Sequence, residues 1–155
     1  MNIGSYIIKL ISHRGNINGI QPNKENTQPY IQAAIDSGYD VEVDVWAVGE
    51  SNQLYLGHDC PETETSLEWL FERRKSLWIH CKGFQALSFL IDKKLTMFFH
   101  EQESYTIISN GYIWAHNLLE INDKCVIPLL SESAISQWTQ QPVYGVCSDY
   151  IQYLV

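Results

Sequence analysis

The chain has no excess of positive charge: 10 Lys and Arg stand against 18 Asp and Glu, for a net charge of -8. A broad basic footprint for nucleic acid or an anionic membrane is thereby excluded, and an anionic ligand would need a local cluster of cations or a metal. No CxxC pair occurs, since Cys60, Cys81, Cys125 and Cys147 are widely spaced. A zinc knuckle and a dithiol redox motif are excluded, and reduced thiols in or near strands are expected. The apolar run within Met1 to Ser12 lacks a basic leader and a small-residue cleavage site and is too short to span a bilayer. A cytoplasmic address without a membrane span is the expectation. No Gly-rich phosphate loop follows the first apolar run, which removes the usual sign of a dinucleotide fold.

What is present is a composition of 45% hydrophobic and 18% charged residues over 155 positions, enough for a sizeable core and for a single domain over residues 1–155. Ile7 to Ile11 reads as a buried strand ending at His13, and Pro29 with Ile31, Ala34 and Ile35 as a helix stopped at Gly38. Tyr39 to Trp46 alternates, so Val41, Val43 and Val45 share one face while Glu42 and Asp44 share the other. Gly49 to Gln53 is a turn, and Leu54 to His58 returns antiparallel, bringing His58 to about the level of Glu42. Thr65-x-x-Glu68 reads as a capping box before a short helix, and Leu77 to Cys81 as the next strand. Gly83 to Lys93 is a helix with Phe84, Leu87, Leu90 and Ile91 on one face, followed by a strand over Thr96 to His100. Ser104 to Ser109 is a short helix or turn, and strands follow over Tyr112 to His116 and Cys125 to Leu129. Ser131 opens a helix with Ile135 and Trp138 inward, and Val143 to Cys147 is the last strand.

Eight strand candidates alternating with helices imply parallel strands, right-handed crossovers and a compact (βα)8 TIM-type barrel with an antiparallel hairpin after the second strand. The chain is short of the roughly 200 residues at the lower end of that fold, and a doubly wound sheet is the alternative. All five histidines fall at predicted strand ends, where such a barrel carries its functional groups.

The chemistry follows from residue type. Glu42 and Asp44, two apart on one strand face, make a hard oxygen site for Mg or Ca ions, or else the solvent face of a half-buried strand. His13 and His58 across that metal could serve as general acid and base, because an imidazole titrates near neutral pH. Arg14 and Lys82 would hold a phosphate, Arg by its fork and Lys as a point charge. Metal-assisted phosphodiester cleavage is the implied reaction.

His13-Arg14-Gly15, Glu25-Asn26-Thr27, Gly38-Tyr39-Asp40-Val41-Glu42-Val43-Asp44-Val45 and Gly57-His58-Asp59, in this order, resemble the glycerophosphodiester phosphodiesterase family of the phosphatidylinositol phospholipase C-like barrels. Gly145-Val146-Cys147-Ser148-Asp149 is similar to that family's last strand. The resemblance implies a hydrolase of lipid metabolism in which His13 and His58 are the acid/base pair and Glu42 and Asp44 bind the divalent metal. Its substrate would be a small phosphodiester, cleaved to a phosphomonoester and an alcohol. Where the family has Glu-x-Lys, with the Glu as third ligand, this chain has His80-Cys81-Lys82. A histidine ligand softens the site and shifts its preference toward transition metals.

Glu25 and Asn26 would brace the loop after the first strand, and Asp59 would orient a neighbour or cap a turn. Trp114 and Trp46 either line the pocket or pack, and His100 and His116 line the substrate site or stand behind it. Asp149 either lies near the pocket or caps a helix. Two other functions stay open: an inactive or weak barrel that binds a phosphorylated small molecule, motivated by the missing third carboxylate, and a metal-dependent hydrolase of another ester or amide.

Overall fold

A computed structural model describes residues 7–155. The expectation about a leader rests partly on Met1 to Tyr6, outside the described residues. β1 (Lys9–His13) runs through the middle of the sheet, paired in parallel with β2 (Asp40–Val48) on one edge and with β10 (Gly145–Ser148) on the other. β2 is the hub. Its first half takes β1 on one edge and β5 (Leu77–Cys81) on the other, and its second half turns at Gly49 into the antiparallel β3 (Gln53–Leu56). β4 (Thr63–Thr65) continues the meander, and β6 (Met97–Phe98) extends the β5 side. On the β10 side follow β9 (Cys125–Pro128), β8 (Ile113–Ala115) and the antiparallel β7 (Tyr105–Ile107).

Among the described residues these ten strands form one curled mixed sheet with only four short α-helices, which overturns the expected (βα)8 TIM barrel. Among the described residues no strand ladder joins β6 to β7 or β8. The two sides meet instead through Ser109, whose N–H donates to Met97 O and whose Oγ accepts from Met97 N–H, both at 2.9 Å, through Thr106, whose Oγ1–H donates to Phe99 O at 2.9 Å, and through the stacked rings of Phe98 and Trp114. The reason lies in the pairing of β8. β8 pairs in parallel with β9 on one edge and antiparallel with β7 on the other, so β7 takes the edge that β6 would need to close a barrel. Residues 99–112, between β6 and β8, are used by an antiparallel strand, and residues 116–124, between β8 and β9, hold no helix. The doubly wound alternative fails too, because the helices cover only the outer face of the curl.

On that outer face α1 (Gln28–Asp36) buries Ile31 and Ala34 with Val41, Val43 and Val45 of β2, and Pro29 sits in its first turn as expected. α2 (Leu67–Glu72) adds Leu70, and its N-cap is Ser66, whose Oγ accepts from Trp69 N–H. The Thr65 capping box is therefore corrected by one residue: Thr65 ends β4 and cannot also cap. In α3 (Phe84–Leu90) the buried seam is Ala86 and Leu90, while Phe84 is 80% and Ile91 67% exposed. Of the four-residue face read from the sequence, Leu90 is buried and Leu87 packs partly against the core, whereas Phe84 and Ile91 turn outward because the small Ala86 lets α3 sit close to the sheet. Ser104 to Ser109, expected as a helix or turn, instead holds β7. α4 (Glu132–Gln137), capped by Ser131, buries Ile135 against β9 and β10 as expected, with Trp138 partly buried beside it.

Inside the curl a second layer of packing is made by Ile11, Trp78, Phe98, Trp114, Val126 and Cys147, one from each of six strands. Side chains on a strand return to the same face after two residues. Two positions on from that layer stand His13, His80, His100, His116, Pro128 and Asp149, so one apolar floor carries one ring of functional groups.

Candidate active site

Over this floor lies a cavity of about 170 Å³, lined by His13, Arg14, Glu42, Asp44, His58 and His80 and closed on the far side by Phe98, His100, Trp114 and His116. Eight of the residues singled out from the sequence, His13, Arg14, Glu42, Asp44, His58, His80, His100 and His116, thus converge with Trp114. Lys82 lines an adjoining cavity and reaches back to place Nζ 3.8 Å from Asp44 Oδ1.

Glu42 and Asp44 are 2% and 1% exposed, far more buried than the solvent face of a half-buried strand would be. Asp44 is surrounded by cations and donors. Asn26 Nδ2–H donates to its Oδ2 at 2.9 Å, Asn26 Oδ1 accepts its backbone N–H at 3.1 Å, and Arg14 Nε lies 3.1 Å from Oδ2. His80 Nδ1 is 3.0 Å from Oδ1, an ion-pair distance but off the line of a hydrogen bond, so Oδ1 keeps no hydrogen-bond partner. Burial pushes the Asp44 carboxyl upward, but His80, Arg14 and Asn26 more than offset it and hold the pKa at about 2. Glu42 is poorer in partners: its nearest cations are His13 Nε2 at 3.7 Å from Oε2 and His80 Nδ1 at 3.9 Å from Oε1, and Oε2 is unpaired. Burial and the charge of Asp44 push Glu42 up to about 7.

One carboxylate oxygen from each of Glu42 and Asp44 and a ring nitrogen of His80 lie within 4.8 Å of one another. Ligands about 2.0–2.3 Å from a shared ion stand about 3 to 4 Å apart, so these three fit a divalent cation after small adjustments. A cation would satisfy the two orphaned carboxylate oxygens, each of which is costly to bury unpaired.

His13 is held by a residue from the other end of the chain. Its Nδ1–H donates to Asp149 Oδ1 at 2.8 Å, which leaves Nε2 facing Glu42 and the cavity. Burial lowers the His13 pKa, but the Asp149 bond and the Glu42 charge outweigh that, so it sits above the ordinary value. Asp149 Oδ1 also accepts from Asn16 Nδ2–H at 2.7 Å, and Asn16 donates in turn to Glu25 Oε2 at 2.8 Å. Glu25 Oε1 lies 3.3 Å from Arg14 Nη1. Glu25 and Asn26 therefore brace Arg14 and Asp44 from behind.

The sequence does not single out Asn16, and it fits Asp149 equally to the pocket or to a cap. A signal for Asp149 was present: Cys147-x-Asp149 repeats the spacing of Ile11-x-His13 and Trp78-x-His80. Asn16 carries no such mark, because it lies in the turn after β1 and is placed only by its contacts.

His58 sits at the mouth, its side chain 44% exposed, with Nδ1 2.8 Å from the largely exposed Asp59. Asp59 thus orients its neighbour, through a surface pair of little energetic weight. On the far wall the rings of His100 and His116 stack with centroids 3.8 Å apart, and Trp114 Nε1–H donates to His116 Nε2 at 3.0 Å. Burial first, then the neighbouring imidazoles, lowers His116 to about 4, so this wall is uncharged at neutral pH. Trp46 bonds Gly57 O from outside the cavity, at 2.7 Å, and lines the adjoining one beside Lys82.

No helix among the described residues is long and apolar enough to cross a membrane. No family model, no curated protein and no solved structure matches the chain.

Proposed function

We propose that the chain is a metal-dependent phosphodiesterase acting on glycerophosphodiester-like substrates, releasing a phosphomonoester and an alcohol. The observation that carries this reading is the convergence of two histidines, His13 and His58, on a buried Glu42, Asp44 and His80 cluster flanked by Arg14 and Lys82. Few reaction classes use two imidazoles and a divalent cation site in one cavity with two cationic side chains beside it; transfer at a phosphodiester uses all of them. The ordered motifs similar to the glycerophosphodiester phosphodiesterase family support the same reading.

A divalent ion on the three ligands would neutralise charge on the phosphoryl oxygens. Arg14, braced by Glu25, and Lys82 would hold the phosphate next to that site. His13, with Nδ1 engaged by Asp149, takes at Nε2 the proton of the neighbouring glycerol hydroxyl as that oxygen bonds to phosphorus, and returns it to the same oxygen when water opens the resulting cyclic phosphate to the phosphomonoester. His58, at the open mouth, gives a proton to the departing alcohol oxygen as the old bond breaks and recovers it from water. A cytoplasmic address belongs to this proposal, supported by the cysteines: all four are free, three of them buried.

The test is a hydrolysis screen of glycerophosphodiesters, bis-nitrophenyl phosphate and carboxyl esters with and without added divalent ions. Metal-dependent release of alcohol from the phosphodiesters alone is the expected result; preference for carboxyl esters would overturn the proposal. A second reading, a binding module for a phosphorylated small molecule, is favoured by one observation: His80 occupies the place of a third carboxylate. Phosphomonoester binding without turnover at any metal would establish it.

A further inference from the structure

We propose that His80 is a metal ligand through Nδ1 and makes this a site for a first-row transition dication such as Mn, Co or Zn, in preference to Mg or Ca. The proposal deepens the metal part of the functional reading and does not depend on which bond is cleaved. It starts from the imidazole's two nitrogens. Nε2 lies 3.1 Å from the backbone carbonyl oxygen of His100, which can only accept, so Nε2 carries the hydrogen and donates it. In the neutral ring Nδ1 then holds a lone pair, and it is Nδ1 that faces Asp44 Oδ1 at 3.0 Å and Glu42 Oε1 at 3.9 Å.

A histidine whose distal N–H is fixed by a carbonyl, with its other nitrogen turned to carboxylates, has the arrangement typical of a metal ligand and its supporting partner. The ring is also fixed in plane. It stacks on Phe98 with centroids 5.1 Å apart and planes 4° from parallel, so the Nδ1 direction is set before any ion arrives. The carboxylates it faces are nine-tenths or more buried, and Asp44 Oδ1 and Glu42 Oε2 have no hydrogen-bond partner.

The donor set decides the ion. Two carboxylates and one imidazole supply only two negative charges and a nitrogen, where Mg and Ca favour oxygen ligands throughout. Imidazole suits Mn weakly and Co and Zn well, following the general rise of affinity along the first row. Replacing the nitrogen by a carboxylate should restore the hard character of the site.

The experiment uses the full chain after chelator treatment. Binding of Mg, Ca, Mn, Co and Zn is measured by calorimetry, for wild type and for His80→Asp. The expected result is that Co and Zn bind wild type tighter than Mg or Ca by on the order of tenfold or more. His80→Asp should narrow that ratio and raise relative Mg affinity. Pulsed electron paramagnetic resonance of the Mn-loaded wild type should show coupling to a directly bound ring nitrogen, a readout that does not need the variant to fold. Mg or Ca binding as tight as Co, or the lack of nitrogen coupling in bound Mn, overturns the proposal. Nitrogen coupling without hydrolysis of any phosphodiester would leave this inference standing and defeat the reaction instead.

Discussion

His13 Nδ1 and Asp149 Oδ1 stand 2.8 Å apart, joining the end of β1 to the residue just after β10. The two strands are parallel neighbours in register, Ile11 beside Cys147, so residues two further on along the same face come side by side. The carboxylate fixes the imidazole's tautomer and adds to the charge that keeps its pKa up.

Replacing Asp149 by Asn should therefore keep the space filled but no longer require a proton on His13 Nδ1. We expect kcat for phosphodiester hydrolysis to fall about 10²- to 10⁴-fold, with the His13-linked limb of the pH profile moved to lower pH. Circular dichroism should report an unchanged fold. An unaltered pH profile would show that Asp149 does no more than hold the turn through Asn16.

His13→Ala and His58→Ala should each abolish turnover. They should differ in stability: His13 is buried and bonded, whereas His58 is 44% exposed in its side chain. Thermal unfolding should hardly change for His58→Ala, within about 0.5 kcal/mol for an exposed position. Activity surviving in both folded variants would remove the acid/base pair from the mechanism.

Stability of the metal-free protein should fall as pH rises through the neutral range. Glu42, at about 7 in the fold against an ordinary 4.5, binds its proton more tightly folded than unfolded. Its contribution is complete below pH 4.5 and is lost as pH rises through about 7. His13 and His80, both raised above 6.5, have the same sign: present below 6.5 and lost above. Asp44 has the opposite sign, present above 3.8 and lost only as pH falls through about 2. With chelator present, the melting temperature should drop from pH 5 to pH 8. A divalent ion should stabilise more at pH 8, where protons no longer compete for its ligands. A melting temperature independent of pH in this range would contradict the burial of Glu42.

Asn26 holds Asp44 from two sides and does so with φ at +56°. Asn26→Gly should lose about 1.5–3 kcal/mol with the hydrogen bond to the charged Asp44. Asn26→Ala should lose a further 1–2 kcal/mol or so, because a Cβ that makes no local hydrogen bond is costly in the left-handed region. Chemical denaturation of the two variants gives the order; equal losses would mean that the backbone relaxes out of the left-handed region.

Parts of the site were legible before any coordinates because period two is local. Glu42 and Asp44 had to share a face, and His58 had to return near them once Gly49 to Gln53 turned the chain. Asp149 was legible in the same way, but only if its spacing from Cys147 is read against that of the other strands. Other features were not local. Whether Phe84 or Ala86 faces the sheet depends on how closely α3 approaches β2, and whether Ser104 to Ser109 is a turn or a strand depends on β8 being there to pair with it.

The amino-acid sequence by itself determined which chemical groups are available, on which face of each strand they lie, and that they stand at strand ends. These follow from side-chain chemistry and from alternation along an extended backbone, which need no distant contact. Only the tertiary structure decided that the sheet curls without closing into a barrel. It also decided that Asp149 partners His13 and that the His100 carbonyl turns His80 Nδ1 toward Glu42 and Asp44. Such outcomes depend on which strand edges are already paired and on neighbours that are distant along the chain, and burial then makes the resulting contacts strong.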